Sequence, residues 1–190
     1  MNLFTLFLSA LLINNIILAK FIGICPFIGV SSKVEPAIGM GLAVIFVIFG
    51  ASVLAWLLYK FVLVPLELEY MELICFILLI AAIVQFVEMF IKKTSPSLYQ
   101  QLGIYLPLIT TNCAVLYAAQ NNISEGYNLI ETMVNSLGIA GGFMLMLVIF
   151  ATIRERLQGN NIPKAFQGNP IAFIIAAIMA LAFSSLAGLV

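Results

Sequence analysis

Apolar residues along this chain run in long continuous stretches. They do not alternate, and they do not return only every third or fourth position. Stretches free of charge fall at about Leu3–Ala19, Ala37–Tyr59, Leu73–Val87, Gly103–Ala119, Met133–Ile153 and Ile171–Val190. A helix needs roughly 20 apolar residues to cross the hydrocarbon core of a bilayer. Continuous runs satisfy their backbone within a helix, whereas a membrane barrel needs short alternating strands. The pattern predicts an all-α integral membrane protein with six transmembrane helices. The third is short unless it extends through Glu88 toward Ile91, and the fourth is interrupted by Pro107.

Composition narrows the function classes. Of 190 residues, 64% are hydrophobic and 8% charged, where a soluble domain carries roughly 25% charged residues. A soluble enzyme, a nucleic-acid binder and a secreted disulfide scaffold are all excluded on this ground, and no nucleic-acid partner is expected. The chain has no His and no Asp, so imidazole acid–base chemistry, catalytic triads and His–metal sites cannot be built from it. Met1–Ala19 has no basic leader and too long an apolar stretch for a cleaved signal. It reads as a retained membrane segment.

Charge sets the expected orientation. The loops after helices 1, 3 and 5 hold Lys20, Lys33, Lys92, Lys93, Arg154, Arg156 and Lys164, whereas the opposite side holds only Lys60. By the positive-inside rule the basic loops face the cytoplasm and both termini lie outside. Six helices divide into halves of about 1–93 and 94–190 within a single membrane domain. Three helices per half require any internal repeat to be inverted across the membrane. LINNIIL (Leu12–Leu18) echoes LITTNCAVL (Leu108–Leu116), so two inverted three-helix halves with broken helices 1 and 4 are expected.

Those two helices carry the candidate chemistry. The first holds Asn14, Asn15, Lys20 and then GICPF (Gly23–Phe27); the fourth holds Pro107, Thr110, Thr111, Asn112 and Cys113. Asparagine is costly in hydrocarbon unless it is hydrogen-bonded. Irregular backbone at membrane depth is tolerated only where protein or a cavity covers it. Broken helices in corresponding halves point to a buried functional site.

Of the three cysteines, Cys75 sits in a plain apolar run and reads as packing, whereas Cys25 and Cys113 sit in the breaks. Two thiolates fall short of the four ligands of a closed zinc or iron–sulfur site, so a metal site here needs two ligands from another chain. The rival reading is a disulfide, disfavoured because Cys25 is close to the cytoplasm. A straight first helix leaves the two thiols about 15 Å apart along the membrane normal. Their meeting requires a break or a re-entrant turn near Gly23–Pro26.

Other features have plainer readings. Glu88 lies one turn before Lys92, the spacing of an ion pair at the cytoplasmic interface, with an ion path as the alternative. The IRERL stretch ending at Leu157 reads as an interfacial anchor. Gly39, Gly41, Gly138, Gly141, Gly142 and Gly188 suit close helix packing. GIAGG lacks the preceding strand of a dinucleotide loop.

Together LINN, GICPF, VSSK (Val30–Lys33), GMGLA (Gly39–Ala43), QFVEM (Gln85–Met89), KTSPSLY (Lys93–Tyr99), LGIYLPLITTNCAVL (Leu102–Leu116), IRERL and FQGN (Phe166–Asn169) resemble the A subunits of the Rnf electron-transport complexes, across essentially the whole chain. The sister family comprises the D and E subunits of the sodium-translocating NADH:quinone reductases. Its E subunit typically has an acidic residue at the position of Asn14, a Thr at that of Pro26, and TVNC for TTNC.

The resemblance implies a membrane protein of the bacterial inner membrane, paired in opposite orientation with a homologous E subunit and assembled with the other Rnf subunits. It implies a [2Fe–2S] cluster held by two cysteines from each partner, here Cys25 and Cys113. It implies electron flow between ferredoxin and NAD coupled to Na⁺ or H⁺ movement, with no complete catalytic site in this chain. Half-helix ends and backbone N–H groups near Gly23–Ile24 and Thr110–Asn112 are the expected compensation for the cluster's negative charge. The competing reading is a small inverted-repeat transporter or channel without a redox centre.

Overall fold

A computed structural model of the chain describes residues 3–94, 107–110, 112–157, 159, 163 and 166–185. Thr111, Lys164, Gly188 and the Gly103–Leu106 part of the expected fourth span lie outside the described residues, as does the side chain of Thr110.

The first apolar run forms three pieces of helix. Helix α1 (Leu3–Leu8) widens into a π turn at Ser9–Ile13, closed by the Asn14 N–H bonding Ser9 O at 2.8 Å. The chain then straightens at Asn15, whose ψ of 116° starts α2 (Ile16–Lys20) afresh. A break leaves carbonyls without partners on one side and N–H groups without partners on the other. Asn15 answers both: its Oδ1 accepts from Ile17 N at 3.2 Å, and its Nδ2 donates to Leu11 O at 3.3 Å and Gly142 O at 3.0 Å. Helix α2 ends at Phe21, in the left-handed region at φ 54°, where nested bonds run from Phe21 N to Ile17 O and from Ile22 N to Ile16 O. Gly23, at φ 85°, then turns the chain into α3 (Ile24–Val30). Pro26 lies in the first turn of α3, where its missing N–H leaves no bond unmade.

The later elements follow the expected order, and those of the second, third and fifth spans are longer than expected. Helix α4 (Val34–Leu58) runs on through a π turn at Tyr59–Leu63, and α5 (Glu72–Thr94) includes Glu88 and Ile91. The expected fourth span contains α6 (Pro107–Thr110) and α7 (Cys113–Ser124). Helices α8 (Leu129–Leu157) and α9 (Asn169–Ser184) complete the described chain. Among the described residues, three helical runs are long and apolar enough to cross a membrane: Val34–Leu63, Glu72–Met89 and Leu129–Leu157. Leu3–Ile13 and Asn169–Ser184 are shorter apolar helices.

Helices α4 and α8 form the centre, with α1, its π turn and α7 packed on them and α5 outermost. Met40, Val44, Val47 and Ile48 of α4 are fully buried, as are Phe143, Met146, Leu147 and Phe150 of α8. Of the apolar membrane-length stretches of α5 and α8, 17% of the first is buried against 56% of the second, so α5 presents most of its apolar surface outward.

Glycines let the broken first helix lie directly on α8. A Cβ on Gly142 would stand 2.7 Å from Leu11 O and 3.0 Å from Asn15 Nδ2; one on Gly138 would stand 2.8 Å from Ala10 Cβ. A Cβ on Gly41 would meet Met144 Cγ at 2.6 Å. Backbone atoms cannot move aside as a flexible side chain can, so Gly142 is the most constrained of the three. Gly142→Ala is expected to lower stability by about 1–3 kcal/mol, the usual cost of forcing atoms into a packed site. Gly50→Ala, with nothing within 4 Å of its Cβ position, should be neutral or stabilising by up to about 1 kcal/mol. Thermal unfolding of the purified protein in detergent compares the two, and equal midpoints would contradict the close approach.

Candidate functional site

The two breaks meet. A Cβ on Gly23 would lie 3.4 Å from Asn112 Oδ1 and 3.4 Å from Ala114 Cβ, the residues on either side of Cys113. Helix α3 also packs against α6. Gly23 therefore serves twice, supplying a positive φ and letting its backbone approach the start of α7. Cys25 is the second residue of α3 and Cys113 the first residue of α7. Both are free and exposed, so the half-helix starts present their thiols outward. Cys75 is a free, half-buried thiol on α5.

Asn112 shapes the second break as Asn15 shapes the first. Its φ and ψ are −72° and 111°, against −63° and 116° at Asn15. Its Oδ1 accepts from Ala114 N at 3.0 Å. An asparagine in this capping position is worth about 1 kcal/mol over alanine. Unlike Asn15, it keeps a buried Nδ2 with no hydrogen-bond partner among the described residues. That donor belongs to the residue before Cys113, and a buried donor left without a partner carries a desolvation cost.

Helix α3 is held at its other end as well. Arg154 Nη1 donates to Ile28 O at 2.7 Å and to Ser31 Oγ at 2.9 Å, and Glu155 Oε2 accepts from Val34 N at 3.4 Å. Phe27 stacks on Phe150 with ring centroids 4.2 Å apart. This corrects the reading of IRERL as an interfacial anchor alone: Arg154 ties the carbonyl end of the Cys25 helix to α8. A cation at a helix C-terminus is favoured by the orphan carbonyls there.

Among the described residues no group of three or more Cys, Asp or Glu side chains is placed to hold a metal. The donor set facing outward is the two thiols of Cys25 and Cys113. That fits half of a four-thiolate cluster and not a whole one. Glu88 is half-buried on α5, one turn before Lys92.

A polar cavity of about 290 Å³ opens between the first helical run, α7 and α8. Ser9, Asn14 and Lys20 line one wall, and Tyr117, Asn121 and Glu125 the other. The second trio follows Cys113 at successive four-residue steps, so it marks one face of α7. Lys20 Nζ donates to Tyr117 OH and lies 4.6 Å from the centre of its ring; Tyr117 OH donates to Asn121 Oδ1 at 3.0 Å. Behind this wall Asn135 Nδ2 donates to Asn122 Oδ1 at 2.7 Å, and Asn122 Nδ2 to Ser136 Oγ at 3.0 Å. At the turn end of the cavity, burial and then the carboxylates of Glu125 and Glu131 push the Tyr127 phenol above its usual range. Tyr117 and Asn121 follow Cys113 at successive four-residue steps, the one signal in the sequence that marks them.

Residues 3–190 match the family described as Rnf-Nqr subunit, membrane protein. The chain is 54% identical over 189 residues to the A subunit of the Na(+)-translocating ferredoxin:NAD(+) oxidoreductase complex of Acetobacterium woodii, covering 100% of this chain and 98% of that protein. It is 54% identical over 189 residues to the A subunit of the ion-translocating oxidoreductase complex of Syntrophotalea carbinolica, with the same coverage. A protein of that second description from Serratia proteamaculans is 54% identical over 185 residues, 97% of this chain and 96% of its own length. With helices apolar enough for a membrane and a family match running from the first helix to the last residue, the chain belongs to the Rnf-Nqr family of membrane-protein subunits.

Proposed function

We propose that this chain is the A subunit of an Rnf-type complex of the bacterial inner membrane. It carries electrons through a [2Fe–2S] cluster shared with a homologous E subunit and couples ferredoxin:NAD redox chemistry to movement of Na⁺ or H⁺. The observation that carries the reading is the pair of exposed thiols, Cys25 and Cys113, at the starts of two half-helices that abut through Gly23 and Asn112. An exposed half-set of thiolates suits a site completed by a second chain. The cluster supplies one-electron redox chemistry; the residues of this chain position two of its ligands. Asn15 and Asn112 hold the half-helix starts, and Arg154 and Phe27 fix the axis of α3.

The finer architecture belongs to the same proposal. The chain crosses the membrane six times as two inverted halves, with both termini outside, as its Lys and Arg distribution requires. The capping pair Asn15 and Asn112 and the close-contact pair Gly41 and Gly138 share one spacing of 97 residues, which supports the repeat. On that spacing the cysteines are not equivalent positions, so each half contributes its thiol from a different point in the fold.

Two experiments bear on this. In the assembled complex, Cys25→Ala or Cys113→Ala is expected to abolish the cluster's EPR signal and ferredoxin-to-NAD electron flow, because three thiolates leave an iron under-coordinated. Cys75→Ala should keep both. Loss of the cluster in Cys75→Ala, with its retention in either of the other variants, would overturn the assignment of the ligands, and a complex that moves its substrate without iron would favour the transporter reading. For orientation, a reporter fused after Val190 should be active only on the outer side, and activity confined to the cytoplasm would contradict the topology.

A further inference from the structure

The cavity beside the thiols is polar in a chain with few polar groups to spend, and the cluster reading does not use it. Its lining is oxygen-rich: amides at Asn14, Asn121 and Asn135, hydroxyls at Ser9 and Tyr117, and one carboxylate at Glu125. Neutral oxygen donors with a single carboxylate suit a hard alkali cation that keeps part of its hydration shell. The two charges in the lining stand at opposite ends of the α7 face. Glu125 closes the face at the turn before α8, on the side that the Lys and Arg distribution assigns to the exterior. The structure corrects the expectation that Lys20 lies in a cytoplasmic loop: it ends α2 and reaches Tyr117, one helical turn from Cys113. A cation entering at the turn is drawn inward by a carboxylate and by amide oxygens, and then meets an ammonium.

Resting on the reading that this chain takes part in ion translocation, we propose that the cavity is the outward-facing half of an alkali-cation path. Lys20, clasped by Tyr117, is the tethered charge that closes its inner end. The clasp has two components, a hydrogen bond to the hydroxyl and the contact of the ammonium with the ring face. Each is of modest strength, as suits a closure that opens during turnover. A positive charge tethered at a polar cavity lined by protein repels cations more strongly than it does in bulk water. The closure therefore acts by electrostatics and needs no steric plug.

The test is passive Na⁺ entry into proteoliposomes holding the purified complex, with no electron donor present. Lys20→Met is expected to raise that flux on the order of tenfold over the wild type, the change that corresponds to removing roughly 1.4 kcal/mol of electrostatic barrier. Lys20→Arg keeps the charge and should stay tight, and Tyr117→Phe, which loses only the hydroxyl, should fall between. Wild-type tightness in Lys20→Met, or a leak that passes protons and excludes Na⁺, would overturn the proposal. Labelling of Asn121→Cys by membrane-impermeant thiol reagents added from outside gives a second reading in a complex whose lysine is intact. A cationic reagent reacting several-fold faster than an anionic one of similar size supports the path; no labelling, or the opposite preference, contradicts it. The EPR signal in these variants reports separately on the cluster, so loss of either reading is distinguishable from loss of the other.

Discussion

A helix interrupted at membrane depth must satisfy its freed backbone groups from within the protein, because hydrocarbon supplies no partner. The rest of this structure depends on how the chain meets that requirement at two places. Asn15 does so with both ends of its amide, which bonds the end of the old helix, the start of the new one and a carbonyl on α8. Asn112 does so in part, capping Ala114 N and leaving a buried donor unused among the described residues. The first break is thus closed within the chain. The second keeps that buried donor and starts its new helix on an exposed thiol, Cys113.

From these two caps the arrangement of the site follows. Ending α1 at the π turn and restarting at Asn15 lets the backbone lie against Gly138 and Gly142 of α8. The second turn, through Phe21 and Gly23, then directs α3 so that Cys25 starts a helix beside Asn112. Helix α3 has only seven residues, too few to hold its own direction, since isolated helices shorter than about 12 residues are marginal. Its direction is imposed from outside, by the ring stack of Phe27 on Phe150 and by the bonds of Arg154 to Ile28 and Ser31.

Much of this was legible in the residues, and the limits have physical causes. Asparagine stands out in an apolar chain because it costs free energy in hydrocarbon unless it is bonded, proline and glycine because they break the helix, and Cys25 and Cys113 because they sit in those breaks. That made Asn14, Asn15, Gly23, Cys25, Asn112 and Cys113 readable as a group, and it placed both breaks. Arg154 was not readable as a support for α3, because an arginine near a helix end in a basic loop already has a sufficient explanation in membrane orientation. Its partner Ile28 lies 126 residues away. The clasp of Lys20 on Tyr117 spans 97 residues, and a tyrosine in an apolar run carries no signal of its partner. The π turns escaped notice because one inserted residue leaves an unbroken apolar run unchanged.

The central claim is that two separate helix breaks bring Cys25 and Cys113 to one place. Its most direct measurement is cross-linking of the isolated chain, in a Cys75→Ala background, with a short bifunctional thiol reagent in a membrane-mimetic detergent. The account predicts an intramolecular Cys25–Cys113 bridge identified by mass spectrometry of the digested monomer, and its loss when Gly23→Val forces the two starts apart. Reaction of both thiols with no bridge between them, under conditions where a control pair one helical turn apart is linked, would contradict it.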